Sequence, residues 1–273
     1  MNRSLTNVLK AVAGALILWL LCICSVPILD EGTYLWVAQR IDPTDPYGWE
    51  FQFPPWQDAY MFAHPPLHWM WLSVVDNLIE GMWWTKVVAG AFWVIILSFS
   101  SWKFIEAIPE VNVTNWLIWL FTPIVLMSVA RSAMPDLQMT ALGTCAMYVF
   151  YTEQLKEEGS LRLYGISGFV LGLAALTKYP ALFLWVPMLM YCRRFKYAWA
   201  TVIGFLMSWG VGELLLFGVY DRIHVVEVLK SAQEVPRGAL LDRLVGALIR
   251  FGVGAPLLLF CSFNRTWAVG AIL

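Results

Sequence analysis

Asp30 and Glu31 stand side by side in the stretch DEGTYLWVAQR, directly after nineteen uncharged residues, 11–29. An ionised side chain beside hydrocarbon is costly and is kept where it is paired, wet or used. A carboxylate at such a place can take the proton of an attacking hydroxyl. It can equally mark a helix end, since carboxylates suit helix N-termini. Both readings are open for this pair. The next cluster is RSAMPD, 131–136, where Arg131 and Asp136 flank a proline between two apolar runs. It is either a short polar turn or part of a site. Lys178, in ALTKYP, also sits between apolar runs. There it either snorkels to an interface or binds an anion.

Histidine chemistry is sparse. His64 and His68 lie in AHPPLHW, 63–69. The proline pair signals a helix start, and the break it makes between the two imidazoles argues against shared zinc ligation. His224 is far away in sequence. Cys22 and Cys24 are two apart, which puts their thiols on different faces of a helix and gives poor ligand geometry. Glu213 and Arg250 fall inside apolar segments, where they either pair or line a cavity.

These groups must be positioned by apolar elements. Of 273 residues, 60% are hydrophobic and 14% charged, with sixteen tryptophans. A soluble domain is closer to half apolar and a quarter charged. The expected fold is all-α, a polytopic transmembrane protein with about eight spanning helices, near 11–29, 86–107, 114–130, 137–152, 163–177, 179–192, 197–219 and 244–263. The first helix reads as a retained anchor, because its apolar run is long and no A-x-A-like cleavage site precedes Asp30. A net charge of -1 argues against a nucleic-acid partner. No internal repeat is visible.

The segment 65–80, PPLHWMWLSVVDNLIE, would be only about 24 Å long as a helix, short of a hydrocarbon core of about 30 Å. It carries Asp76 and Glu80, and Trp69 and Trp71 suit a headgroup level. The positive-inside rule puts the Arg3/Lys10 tail in the cytoplasm. If 65–80 lies in the interface, Arg193, Arg194 and Lys196 are cytoplasmic too; if it crosses, they face outward. The first solution is preferred. Residues 30–85 are then one extracytoplasmic loop with eight carboxylates, and 220–243 form a second. Asp30, Arg131, Asp136, Lys178 and His224 would emerge on one face, and such convergence is what an active site needs.

In this order the motifs resemble one family. DEGTYLWVAQRI is similar to the Asp-Glu signature that follows the first helix of GT-C glycosyltransferases, in the branch of protein O-mannosyltransferases and aminoarabinose transferases. HPPLHW resembles that family's His/Lys-Pro-Pro-Leu stretch, RSAMPDLQMTAL its Arg…Pro-Asp element, and GLAALTKYPALFLWVPML its Gly…Leu-Thr-Lys element. The likeness covers residues 1 to about 220. It implies a single GT-C-like transmembrane domain over 1–273 and transfer of a sugar, with inversion, from a polyprenyl- or dolichyl-phosphate donor. The acceptor would be a hydroxyl of a protein, lipid or glycan at the extracytoplasmic membrane face. By position, Asp30 would be the acidic residue at the reacting centre with Asp136 nearby, and Glu31 would orient the loop. Lys178, Arg131 and His64 would hold the donor phosphate. Ala63 stands where aminoarabinose-type members carry an acid, so no metal or other cofactor is expected. The final TWAVGAIL reads as the opening of a further apolar helix, as in a fragment or a reduced homologue. Two other classes fit the same residues: a transporter of a lipid phosphate, with Glu213, Arg250 and Lys178 along a passage, and a non-catalytic membrane subunit.

Overall fold

Apolar runs leave their backbone amides and carbonyls to be paired internally, and helices do this within one segment. Accordingly, every element among the residues described by the computed structural model is helical; these residues are 3–25, 29–39, 66–107, 120, 123–190, 192, 194–220 and 225–226. In chain order they form α1 (Arg3–Cys24), α2 (Leu29–Ala38), α3 (Leu67–Ile79), α4 (Met82–Glu106), α5 (Pro123–Ala130), α6 (Pro135–Gln154) and α7 (Leu161–Thr177). A 3-10 segment, Tyr179–Leu184, leads into α8 (Trp185–Met190). Then α9 (Phe195–Phe205), a π segment (Leu206–Gly210) and α10 (Val211–Tyr220) run on as one rod.

Among the described residues, two helices are long and apolar enough to cross a membrane, Met82–Phe104 and Phe195–Gly218. They lie where spans were expected near 86–107 and 197–219. The expected span 179–192 is covered by a 3-10 segment followed by the six residues of α8, not by one continuous α-helix. Pro180 opens that segment, and Pro187 falls within α8. A proline removes a helix donor and clashes with the preceding turn. The remaining expected spans meet shorter or more polar helices, or, as with 244–263 and the first part of 114–130, lie outside the described residues.

Packing runs from α1 to α4, α4 to α6, α6 to α7 and α7 to α9. The α7–α9 contact is set by small residues. A methyl group added at Gly168 would lie 1.9 Å from the Thr201 carbonyl oxygen, and one at Gly204 equally close to that of Gly165. The two backbones therefore touch, as in helix pairs built on small residues spaced by about one turn. Ser167 ties α7 to α6 by donating to the Ala146 carbonyl at 2.8 Å. Ser208, in the π segment, donates to the Phe169 carbonyl at 2.8 Å.

Helix α3 begins after Pro66 and closes at Glu80–Gly81, whose φ values of 45° and 112° reverse the chain into α4. Its His68 touches the α5–α6 turn, and that turn in turn touches Lys86 near the start of α4. Helix α3 thus packs back along the first turns of α4, with Asp76 accepting from the Thr85 hydroxyl at 2.7 Å and Trp71 against Phe92 and Trp93, and His68 reaches the α5–α6 turn. Trp69 is buried with Tyr34, Leu72 and Leu216. Leu216 belongs to α10, so this core cluster takes in the last rod as well.

Candidate functional site

The turn Arg131–Asp136 is the hub of the site. Arg131–Ala133 form a tight turn with the small Ser132 and Ala133 at its centre, and Pro135 occupies the first turn of α6, where its missing N–H costs nothing. Helices α2 and α3 each send one polar side chain to the turn, Lys178 reaches it from just past α7, α4 offers it the Lys86 backbone carbonyl, and α1 sends a thiol.

From α2 comes Glu31, wholly buried. Its Oε1 accepts the Ala133 backbone N–H at 3.2 Å, and its Oε2 accepts from Lys86 Nζ of α4 at 3.1 Å. Lys86 is also wholly buried and donates a second bond to the Ser25 carbonyl at 3.2 Å. Two charges out of water must satisfy each other, and this pair does so with additional backbone partners. Cys22 of α1 meets the hydroxyl of Ser132 at 2.9 Å, while Cys24 is exposed. The different faces expected for these two thiols are those observed. Gly90 leaves room for the contact, since a methyl group there would lie 2.5 Å from Cys22 Sγ.

From α3 comes His68, 1% exposed. Its Nε2 lies 2.7 Å from the Ala133 carbonyl oxygen and its Nδ1 2.8 Å from the side-chain amide of Gln138. A carbonyl only accepts, so Nε2 carries a hydrogen. Burial pushes the imidazole below the usual histidine range, opposed by its bonds to Ala133 and Gln138 and by the nearby Asp136, and assisted by Lys178. The neutral form with Nε2–H follows. Its Nδ1 then accepts from the Gln138 amide nitrogen, the amide being turned relative to the drawn orientation.

From the end of α7 comes Lys178, whose Nζ donates to Asp136 Oδ1 at 2.7 Å. Both side chains keep access to solvent, 24% for the lysine and 37% for the aspartate. Lys178 leaves the helix in an extended conformation, φ −161° and ψ 128°. A cation there also meets the negative end of the α7 dipole. The next residue, Tyr179, donates its hydroxyl to Glu213 of α10 at 2.7 Å. The π segment just before α10 inserts one residue and turns the following face by about 100°. Glu213 is 8% exposed, and its second oxygen accepts the Val225 N–H at 3.3 Å.

Of the residues singled out in the sequence, Glu31, Arg131, Asp136 and Lys178 meet at or beside one turn. Arg131 opens that turn through its backbone bonds to Met127 and Met134, is half-buried, and its side chain has no hydrogen-bond or ion-pair partner among the described residues. Asp30 occupies the first turn of α2, but its side chain lies outside the described residues, as do His64, His224 and Arg250. Glu213 is held by Tyr179. Lys86, Gln138 and Tyr179 were not singled out, and His68 had been considered only as a zinc ligand. Among the described residues no group of three or more His, Cys, Asp or Glu side chains gathers as a metal cage would. No protein-family model, curated protein or solved structure matches this chain.

Proposed function

We propose that this chain is an integral membrane glycosyltransferase of the GT-C kind, crossing the bilayer about eight times. It moves a sugar from a polyprenyl- or dolichyl-phosphate donor to an acceptor hydroxyl at the extracytoplasmic face, with inversion. The observation that carries this reading is the meeting of Asp136, Lys178, Arg131 and the Glu31-bearing helix at one turn. That turn lies at one end of a bundle whose outer surface is apolar. Leu16, Ile95, Phe99 and Leu214 are among the large hydrophobic side chains exposed there. So much apolar surface on a folded chain marks a membrane or partner contact. Helix α3, at 13 residues too short to span, suits the interfacial place expected of it.

The chemistry needs few groups. An acceptor hydroxyl loses a proton as it attacks the anomeric carbon, and Asp30, beside the anchored Glu31, takes it. The leaving group is already a phosphate, so cations replace a general acid. Lys178, Arg131 and His64 supply those cations, and Asp136 aims Lys178. Glu31 does not react in this scheme; buried and doubly paired, it fixes the helix that carries Asp30.

Incubating the detergent-purified protein with polyprenyl-phosphate sugars tests the reading by donor turnover. Asp30→Asn keeps the size of the side chain and removes the base, so transfer is expected to fall about 10²–10⁴-fold while donor binding holds. Lys178→Ala is expected to weaken donor binding by about 1.5–3 kcal/mol, the worth of one charge-assisted contact. Near-normal turnover in folded, inserted Asp30→Asn would reduce the acidic pair to a helix-end feature. Donor binding without turnover by the wild type would instead point to a non-catalytic subunit.

A further inference from the structure

We infer that His68, working through Gln138 and the Ala133 carbonyl, is a positioning residue that sets where Asp136 and Lys178 stand. The inference rests on the site reading above for its catalytic consequence, but not for its structural one.

The geometry is specific. His68 is the side chain by which α3 grips both strands of the hub: Nε2–H holds the Ala133 carbonyl inside the turn, and Nδ1 holds Gln138 on the first turn of α6. Asp136 lies between these two anchor points in the chain. Two fixed points on either side leave its backbone little freedom, so the direction of its carboxylate, and of the ammonium it holds at 2.7 Å, follows from the imidazole. Tyr34 of α2 closes the other side of the ring edge-on, with centroids 5.7 Å apart. The charged groups near the imidazole are Asp136 and Lys178, with Glu31 reaching the same residue, Ala133, from α2. A hydrophobic residue would fill the space but anchor neither point. A glutamine can hydrogen-bond Ala133 while its amide still meets Gln138.

The test uses the full chain in detergent with its lysines reductively 13C-methylated, the Lys178 resonance being assigned by its loss in Lys178→Arg. Its position in Asp136→Asn defines the unpaired lysine. His68→Phe is expected to move the Lys178 signal toward that unpaired position, and His68→Gln to return it most of the way. Gln138→Leu, which frees only the second anchor, is expected to move it partly and covers the case in which His68→Phe does not fold. With a polyprenyl-phosphate sugar as substrate, kcat in His68→Phe is expected to fall about 10²-fold, the scale of a misplacement of about 1 Å, with recovery in His68→Gln. A Lys178 signal unchanged in folded His68→Phe and Gln138→Leu overturns the inference whatever the activity. A signal that moves as expected, in a protein whose wild type transfers no sugar, upholds the positioning and rejects the glycosyltransferase reading.

Discussion

Glu31 and Lys86 illustrate what a buried ion pair does for a site it does not enter. Each is wholly buried, and each makes a second bond to backbone, on Ala133 and on Ser25. Removing one partner leaves an uncompensated buried charge, so Glu31→Gln and Lys86→Met are each expected to cost about 3–5 kcal/mol. Replacing both by apolar residues of similar volume is expected to restore most of that stability. Thermal unfolding of the four proteins in one detergent checks this; near-additive losses would mean that the two residues act independently. His68 carries a second prediction at this scale. Its imidazole is held neutral by burial, whereas in the unfolded chain it takes up a proton below about pH 6.5. The unfolded state therefore binds more protons on acidification, and stability is present above about pH 6.5 and lost as pH falls below it. The loss continues down to the lowered folded value, with a slope of at most about 1.4 kcal/mol per pH unit from this residue. His68→Gln should lack that slope, as unfolding measured across pH 7.5 to 5 would show.

At the scale of elements, the α7–α9 contact bears most directly on where Lys178 stands. Lys178 leaves the last turn of α7, and α7 is held against α9 by glycines that no other residue can replace without moving a backbone. Gly204→Val is expected to force the two helices apart and lower stability by about 1–3 kcal/mol, the usual cost of overpacking. Gly218→Ala, where added atoms meet nothing within 4 Å, is the matched control and should be near neutral. The helices and this contact are legible in the sequence to different degrees. Uncharged runs announce α4 and the α9–α10 rod, and the double proline announces the start of α3. The 179–192 segment is legible as an apolar run, and Pro180 and Pro187 are the signal that it is not one continuous α-helix. The spacing of Gly168 and Gly172 is a signal that composition alone hides. Side-chain partners are less legible still. Lys86 finds Glu31 across 55 residues, and His68 finds Gln138 across 70. No local pattern encodes either pair. Lys86 looks like the basic flank of an apolar helix until the fold brings α2 beside it.

At the scale of the whole molecule, polar side chains gather in two layers. One holds Glu31, Lys86, His68, Asp136 and Lys178. The other holds Glu153, Lys156 and Arg194, with Glu153 accepting the Ser160 N–H at 2.7 Å and Arg194 facing Glu158. Helix α6 runs from the first layer to the second over 20 residues, about 30 Å, and α7 returns over 17, about 26 Å. That separation matches the hydrocarbon thickness of a bilayer, about 30 Å. If a membrane fills the gap, the two layers lie on opposite sides of it, and reagents that cannot cross must distinguish them. Cysteines placed at Asn77, exposed near the end of α3, and at Glu158, whose side chain is 84% exposed in the α6–α7 loop, probe the two sides without disturbing either layer's buried contacts. In a background lacking the native cysteines, Asn77→Cys is expected to react with an impermeant maleimide in intact cells, and Glu158→Cys only after the cells are opened. The opposite pattern would invert the chain and put the Asp136–Lys178 pair in the cytoplasm, where a donor and acceptor of the extracytoplasmic face could not reach it. Equal labelling of both in intact cells would mean that α6 and α7 do not cross a bilayer, and the apolar outer surface would then need a protein partner to cover it.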